Sequence, residues 1–162
     1  MDIYEVLEKA KSQAVVTHNT PEAIQSAQAM ALISHYFIHA LGTPEGLLSF
    51  VNEHSIKKWN GFWDGEVEID AIQTVEAVLT ILLKGKNLAQ MLIDSVEFGG
   101  DVDTVASLVL AIGSTSSHYE NNLPEVLFRE IENEEFGLDY LKSLDQDFAK
   151  LIHQYKNESR KV

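Results

Sequence analysis

Apolar residues recur at helical spacing along almost the whole chain, and no segment alternates apolar and polar residues as a half-buried strand requires. That property restricts the 162 residues to an all-α fold. Ile3 to Val15 carries Ile3, Val6, Leu7, Ala10 and Ala14 at helical spacing. Thr20-Pro21 is a helix start, a capping hydroxyl followed by proline at the first helical position. The helix it opens is expected to reach about Leu41, with Gly42 as its terminator. Its Ala23, Ala27 and Ala31 form a small-residue stripe that would let a neighbouring helix approach closely. Thr43-Pro44 repeats the start signal for a helix to about Lys57. Ile69 to Leu83 is amphipathic (Ile72, Val75, Leu79, Leu82) and ends at Lys84-Gly85. Asn87 caps a short helix to about Val96. Val102 to about Ser117 is apolar on nearly every side, which places it in the middle of the bundle. After a turn at Asn121 to Pro124, two more helices are expected, Pro124 to Ile131 and Leu138 to Tyr155, and the polar tail 156–162 should fray.

The length fits one domain, residues 1–162, read as a compact multi-helix bundle. A domain near this size removes about 70% of its unfolded surface from water. The chain has no cysteine, hence no disulfide framework and no thiolate metal site. No apolar stretch approaches the ~20 residues of a membrane span. The start, Met1-Asp2-Ile3-Tyr4-Glu5, lacks the layout of a signal peptide, so a cytoplasmic location is the default expectation. The formal net charge is -13, which disfavours nucleic acid and acidic membranes as partners. A small anionic ligand stays open, because local amides or a bound cation override net charge.

Gly99-Gly100-Asp101-Val102-Asp103-Thr104 places two carboxylates and a hydroxyl within four positions, between a glycine pair and a long apolar run. The glycines allow a tight turn and a close backbone approach. Oxygen donors of this kind suit a hard cation, magnesium or manganese, better than zinc. The plainer reading makes Asp101 or Asp103 a helix N-cap whose charge complements the helix dipole. A calcium EF-hand fails by count. With Asp101 at loop position one, positions six and twelve are Ala106 and Ile112 instead of glycine and glutamate.

Other constellations carry less. His35 and His39 are four apart on one helix face, but no glutamate follows His35 and no third metal ligand is evident. Trp59, Phe62 and Trp63 lie in a glycine-punctuated loop and either stack on a base or pack that loop onto the bundle, with packing favoured. Ser114 to Ser117 beside His118 lack a nucleophile elbow and read as a polar helix end. Glu130 to Glu135 reads as a solvated acidic surface.

On these residues the chain resembles the ADP-ribosylglycohydrolases, a family that includes the dinitrogenase reductase-activating glycohydrolases. Gly99 to Ala111 is similar to the family's C-terminal signature, Gly-Gly-Asp-x-Asp-Thr followed by a small and apolar helix. Upstream, Thr74-Val75-Glu76-Ala77-Val78-Leu79 and Leu88 to Val96 match its helix pair, and Thr17-His18-Asn19-Thr20-Pro21-Glu22-Ala23-Ile24 looks like its Thr-His segment. Leu123-Pro124 and Gly137-Leu138-Asp139-Tyr140-Leu141 look like the ending of one branch, so the resemblance spans residues 12–148. It implies an all-α fold like the C-terminal half of the family's domain, and hydrolysis of a glycosidic bond between ADP-ribose and a protein side chain or small molecule. It further implies a pair of Mg2+ or Mn2+ ions held by Asp101, Asp103 and Thr104, with Asp101 and Asp103 catalytic and Asp103 the bridging carboxylate. His18, Gly99 and Gly100 would contact the ADP-ribose.

The family's Gly-Asp-x-x-Gly segment, its Thr-Asp-Asp motif and its glycine-rich loop do not occur in this sequence, which starts where the family's second half starts. Three side chains cannot fill two octahedral shells without many waters. The expectation is therefore a site incomplete without an N-terminal-half polypeptide, or a homo-oligomer. The alternative is a non-catalytic helical interaction module derived from the family.

Overall fold

The computed structural model describes the backbone of residues 2–159 and side chains as far as Gln154. Among the described residues eight helices follow one another and there is no sheet, only two isolated parallel bridges, Val67 with Gly100 and Asn87 with Glu120. The fold is thus all-α, as the helical spacing requires. The chain divides into two compact units, Met1–Asn122 and Leu123–Val162. No described helix is long and apolar enough to cross a membrane.

In the first unit, α1 (Ile3–Ala14) and α2 (Pro21–Ile38) pack as a hairpin, and Gln28 Nε2 donates to the Leu7 carbonyl across it at 3.2 Å. Thr20 caps α2 as its position predicts, its hydroxyl accepting from the Ala23 N–H at 3.2 Å. The far end differs from expectation. Ala40, not Gly42, takes the left-handed conformation, with φ of 49°. Ala40 N–H donates to the Phe37 carbonyl and Leu41 N–H to the Tyr36 carbonyl, the two bonds of a Schellman end. Gly42 serves packing instead: a Cβ there would meet the Tyr36 hydroxyl at 2.2 Å, and that hydroxyl donates to the Thr43 carbonyl.

α3 (Pro44–His54) leads into the aromatic loop. Trp59 is buried there, and Asn52 holds its backbone from both sides, accepting from its N–H at 2.7 Å and donating to its carbonyl at 2.9 Å. Phe62 remains exposed, with the Lys84 ammonium 5.2 Å from its ring centre. The loop is therefore packed at Trp59 and open at Phe62.

α4 (Ala71–Lys84) is the centre of this unit, in contact with α2, α3, α5 (Leu88–Glu97) and α6 (Val102–Gly113). Nine successive residues, Thr74 to Leu82, are buried. This corrects the expectation that α6 occupies the middle; α6 buries only Val105, Val109, Ile112 and Gly113 fully. The physical reason lies in the polar residues of α4, which looked amphipathic. Glu76, 4% exposed, accepts from the N–H groups of Asn60 and Gly61, and Thr80 accepts from the Trp63 N–H. Loop amides thus satisfy groups that a helix surface would have given to water.

Asn87 caps α5 as expected, accepting from the Gln90 N–H. α6 stops at Gly113, short of Ser117. A Cβ at Gly113 would come 2.8 Å from the Leu88 side chain, so α5 and α6 close tightly there. Ser114 and Thr115 then turn their hydroxyls back onto the Ala111 and Ile112 carbonyls. Buried Tyr119 donates to the Leu82 carbonyl at 2.6 Å, and burial pushes its phenol pKa above the ordinary value of 10.

The second unit holds α7 (Glu125–Arg129) and α8 (Leu138–Ser159). Asn133 fastens the start of α8, accepting from the Asp139 N–H and donating to its carboxylate, both at 2.9 Å. The backbone of 156–159 is helical where fraying was expected; 160–162 lie outside the described residues.

Candidate functional site

The glycine pair before α6 is shaped by Val67. Val67 N–H donates to the Gly99 carbonyl at 3.2 Å, and Asp101 N–H donates to the Val67 carbonyl at 2.7 Å. Gly99 and Gly100 both have positive φ, 74° and 75°, a conformation that L side chains avoid. Gly100 is constrained twice, because a Cβ there would also run into the Val67 carbonyl oxygen. Only the Glu66 side chain, at 3.7 Å, would face a Cβ on Gly99.

Asp101 occupies the N-cap position of α6 but makes no side-chain cap bond, with φ -77° and ψ 53°. Its Oδ1 accepts from the Thr104 hydroxyl at 2.9 Å instead. The carboxylate is half-buried. Capping therefore does not account for Asp101, and its remaining lone pairs are free to meet a ligand.

Asp101 and Thr104 line a cavity of about 460 Å³. Thr17 and His18 reach it from the turn between α1 and α2, where His18 Nδ1 lies 2.9 Å from the Thr17 hydroxyl. Asp70 and Thr74 reach it from the start of α4. The small residues Ala23 and Ala27, expected to seat a neighbouring helix, form part of its apolar wall with Met30 and Leu108. Among the described residues no lysine or arginine lines it.

Ser26 also lines this cavity and is 4% exposed, yet its hydroxyl has no partner among the described residues. Elsewhere the fold handles helix hydroxyls differently. Ser34, Thr74, Thr80 and Ser95 each donate to the carbonyl four residues earlier. Ser26 does not use the Glu22 carbonyl, although that route is open to it by position.

Of the residues predicted from sequence, the fold gathers His18, Asp101 and Thr104 around one cavity. Asp103 is not in its lining. It stands exposed on the first turn of α6, where its charge complements the helix dipole. Gly99 and Gly100 shape the loop without lining the cavity. Asp70 was missed. Its sequence signal is that of a helix cap, and its Oδ1 does cap α4, accepting from the N–H groups of Ile72 and Gln73.

The oxygen donors Asp101 and Thr104 fit a hard divalent cation by chemistry but supply few of the six positions magnesium demands. Among the described residues, no group of three or more His, Cys, Asp or Glu is placed to hold a metal ion. His35 and His39 meet with tilted rings, 4.4 Å between centres, and burial, followed by the His39 charge, lowers the pKa of His35. The hydroxyls of Ser114, Thr115 and Ser116 bond to nearby backbone, Ser116 accepting from the His118 N–H, as a polar helix end requires.

The all-α fold is the one that the resemblance implied. The sequence model of the ADP-ribosylglycohydrolase family matches residues 1–159. The chain belongs to that family. Membership supports a glycohydrolase-like function in general and points to ADP-ribosylated substrates. No curated protein matches the chain, and neither does any solved structure.

Proposed function

We propose that this chain contributes one wall of a metal-dependent ADP-ribosylglycohydrolase site, and that an N-terminal-half polypeptide or a further copy of the chain completes it. The observation that carries the reading is Asp101. It holds a cap position without capping, and it faces the same cavity as Thr104 and His18. The reaction is hydrolysis. Water adds at the anomeric carbon, the glycosidic bond breaks, and the proton from water goes to the departing side chain or to solvent. One or two magnesium or manganese ions, when bound, would polarise the attacking water and offset charge at the ribose. Asp101 and Thr104 would hold such an ion, the Thr104 hydroxyl keeping the Asp101 carboxylate oriented. Asp103, outside the cavity of this chain alone, would be the second carboxylate once the opposite wall is present. His18 would border the ADP-ribose. A cytoplasmic location suits this work.

One observation favours a second reading. With Asp103 outside the cavity, the chain alone could be a helical module that binds ADP-ribose without cleaving it. A single experiment separates the two. The chain is mixed with an N-terminal-half polypeptide of the family and magnesium, and ADP-ribose release from an ADP-ribosylated peptide is followed. Release that falls at least about a hundredfold in Asp101→Asn supports the enzyme. Binding without release supports the module, and release indifferent to Asp101→Asn overturns the site.

A further inference from the structure

Asp70 is held in place by one oxygen only. Its Oδ1 accepts from Ile72 N–H at 2.8 Å and Gln73 N–H at 2.9 Å, which locks the carboxylate. Its other oxygen has no hydrogen-bond partner among the described residues, and the residue lines the cavity. Asp70 and Asp101 begin two core helices, α4 and α6, that pack against each other. Three residues before Asp70, the bonds of Val67 to Gly99 and Asp101 tie the two starts together. Both carboxylates therefore sit on one rigid frame. The partnerless hydroxyl of Ser26 in the same lining is an independent sign that the cavity accommodates a polar occupant. With His18 the one basic group in the lining among the described residues, the groups that complement the carboxylates are hydroxyl and amide donors, such as the hydroxyls of a sugar.

We propose that the free oxygen of Asp70 accepts a hydrogen bond from a hydroxyl of the ribosyl group bound in this cavity, making Asp70 a ligand-contacting residue of the site. The inference rests on the reading that the cavity takes ADP-ribose. The test is calorimetric titration of the full chain, alone and mixed with the N-terminal-half polypeptide, with ADP-ribose in millimolar magnesium, with the melting temperature of each variant recorded. Asparagine caps a helix as well as aspartate does, so Asp70→Asn keeps the start of α4 and removes the charged acceptor. The expected result is an unchanged melting temperature and an affinity lower by about tenfold or more. Asp70→Ser, which also caps, repeats the test should the first variant fold poorly. Wild-type affinity in a folded Asp70 variant, with Asp101→Asn weakened, overturns the role of Asp70 and leaves the site reading intact. No binding by the wild type either alone or with the N-terminal-half polypeptide, or binding indifferent to Asp101→Asn, overturns the site reading and this inference with it.

Discussion

The carbonyl oxygen of Val67 lies only 2.1 Å from where a Cβ on Gly100 would be. The same oxygen receives the Asp101 N–H, so it cannot retreat without releasing the carboxylate loop. Gly100→Ala should therefore cost about 3 kcal/mol or more, combining a steric clash with positive φ. Gly99→Ala meets only the conformational penalty and should cost about 1–2 kcal/mol. Urea unfolding midpoints of the two variants check the order.

Glu76 fastens the aromatic loop from inside the bundle. Glu76→Ala leaves the amides of Asn60 and Gly61 without their acceptor and should destabilise by about 2–4 kcal/mol. Glu76→Gln keeps one carbonyl acceptor and should cost less. Because Trp59 and Trp63 lie in this loop, tryptophan emission should shift to the red in the alanine variant under native conditions.

Ser26 and Ser95 make opposite predictions from similar burial. Ser95 is fully buried and donates to the Met91 carbonyl, so Ser95→Ala should lose about 1 kcal/mol. Ser26 satisfies no bond in the free protein, so Ser26→Ala should be neutral or stabilising by up to about 1 kcal/mol. Thermal melts of both variants without ligand decide the matter.

His35 titrates below its ordinary value of 6.5, chiefly through burial and secondarily through the neighbouring His39 charge. A histidine with a depressed folded pKa takes its proton more readily in the unfolded chain. Its contribution to stability is therefore whole above about pH 6.5 and drains away as pH falls through the folded pKa. His39→Gln removes the second cause, so the His35 resonance should titrate at higher pH than in the wild type by NMR.

Helix starts were legible because their chemistry is local. Thr20 and Asn87 bond amides three residues away, and any sequence window contains both partners. The end of α2 was not, because the left-handed Ala40 defies residue preference, while the nearby glycines make room for Tyr36. The centre of the bundle was misassigned for a related reason. Thr74, Glu76 and Thr80 look like a water-facing stripe until distant loop amides and backbone carbonyls are seen to occupy them. Asp101, Thr104 and His18 were legible as motif residues, whereas Asp70 has no motif, and only the fold brings it to the same cavity.

A cavity lined by Asp70 and Asp101 and, among the described residues, by no lysine or arginine fixes the sign of a salt effect. A diphosphate nearing two carboxylates is repelled, and mobile ions screen that repulsion beyond a Debye length of about 8–10 Å. Added monovalent salt should then strengthen the binding of ADP-ribose, where a site built from basic side chains would release it. Titrations at several potassium chloride concentrations, with magnesium left out so that both carboxylates keep their charge, should give a rising affinity. On the proposed reading, phosphates would reach this protein as two like-charged surfaces meet, by way of the ions between them.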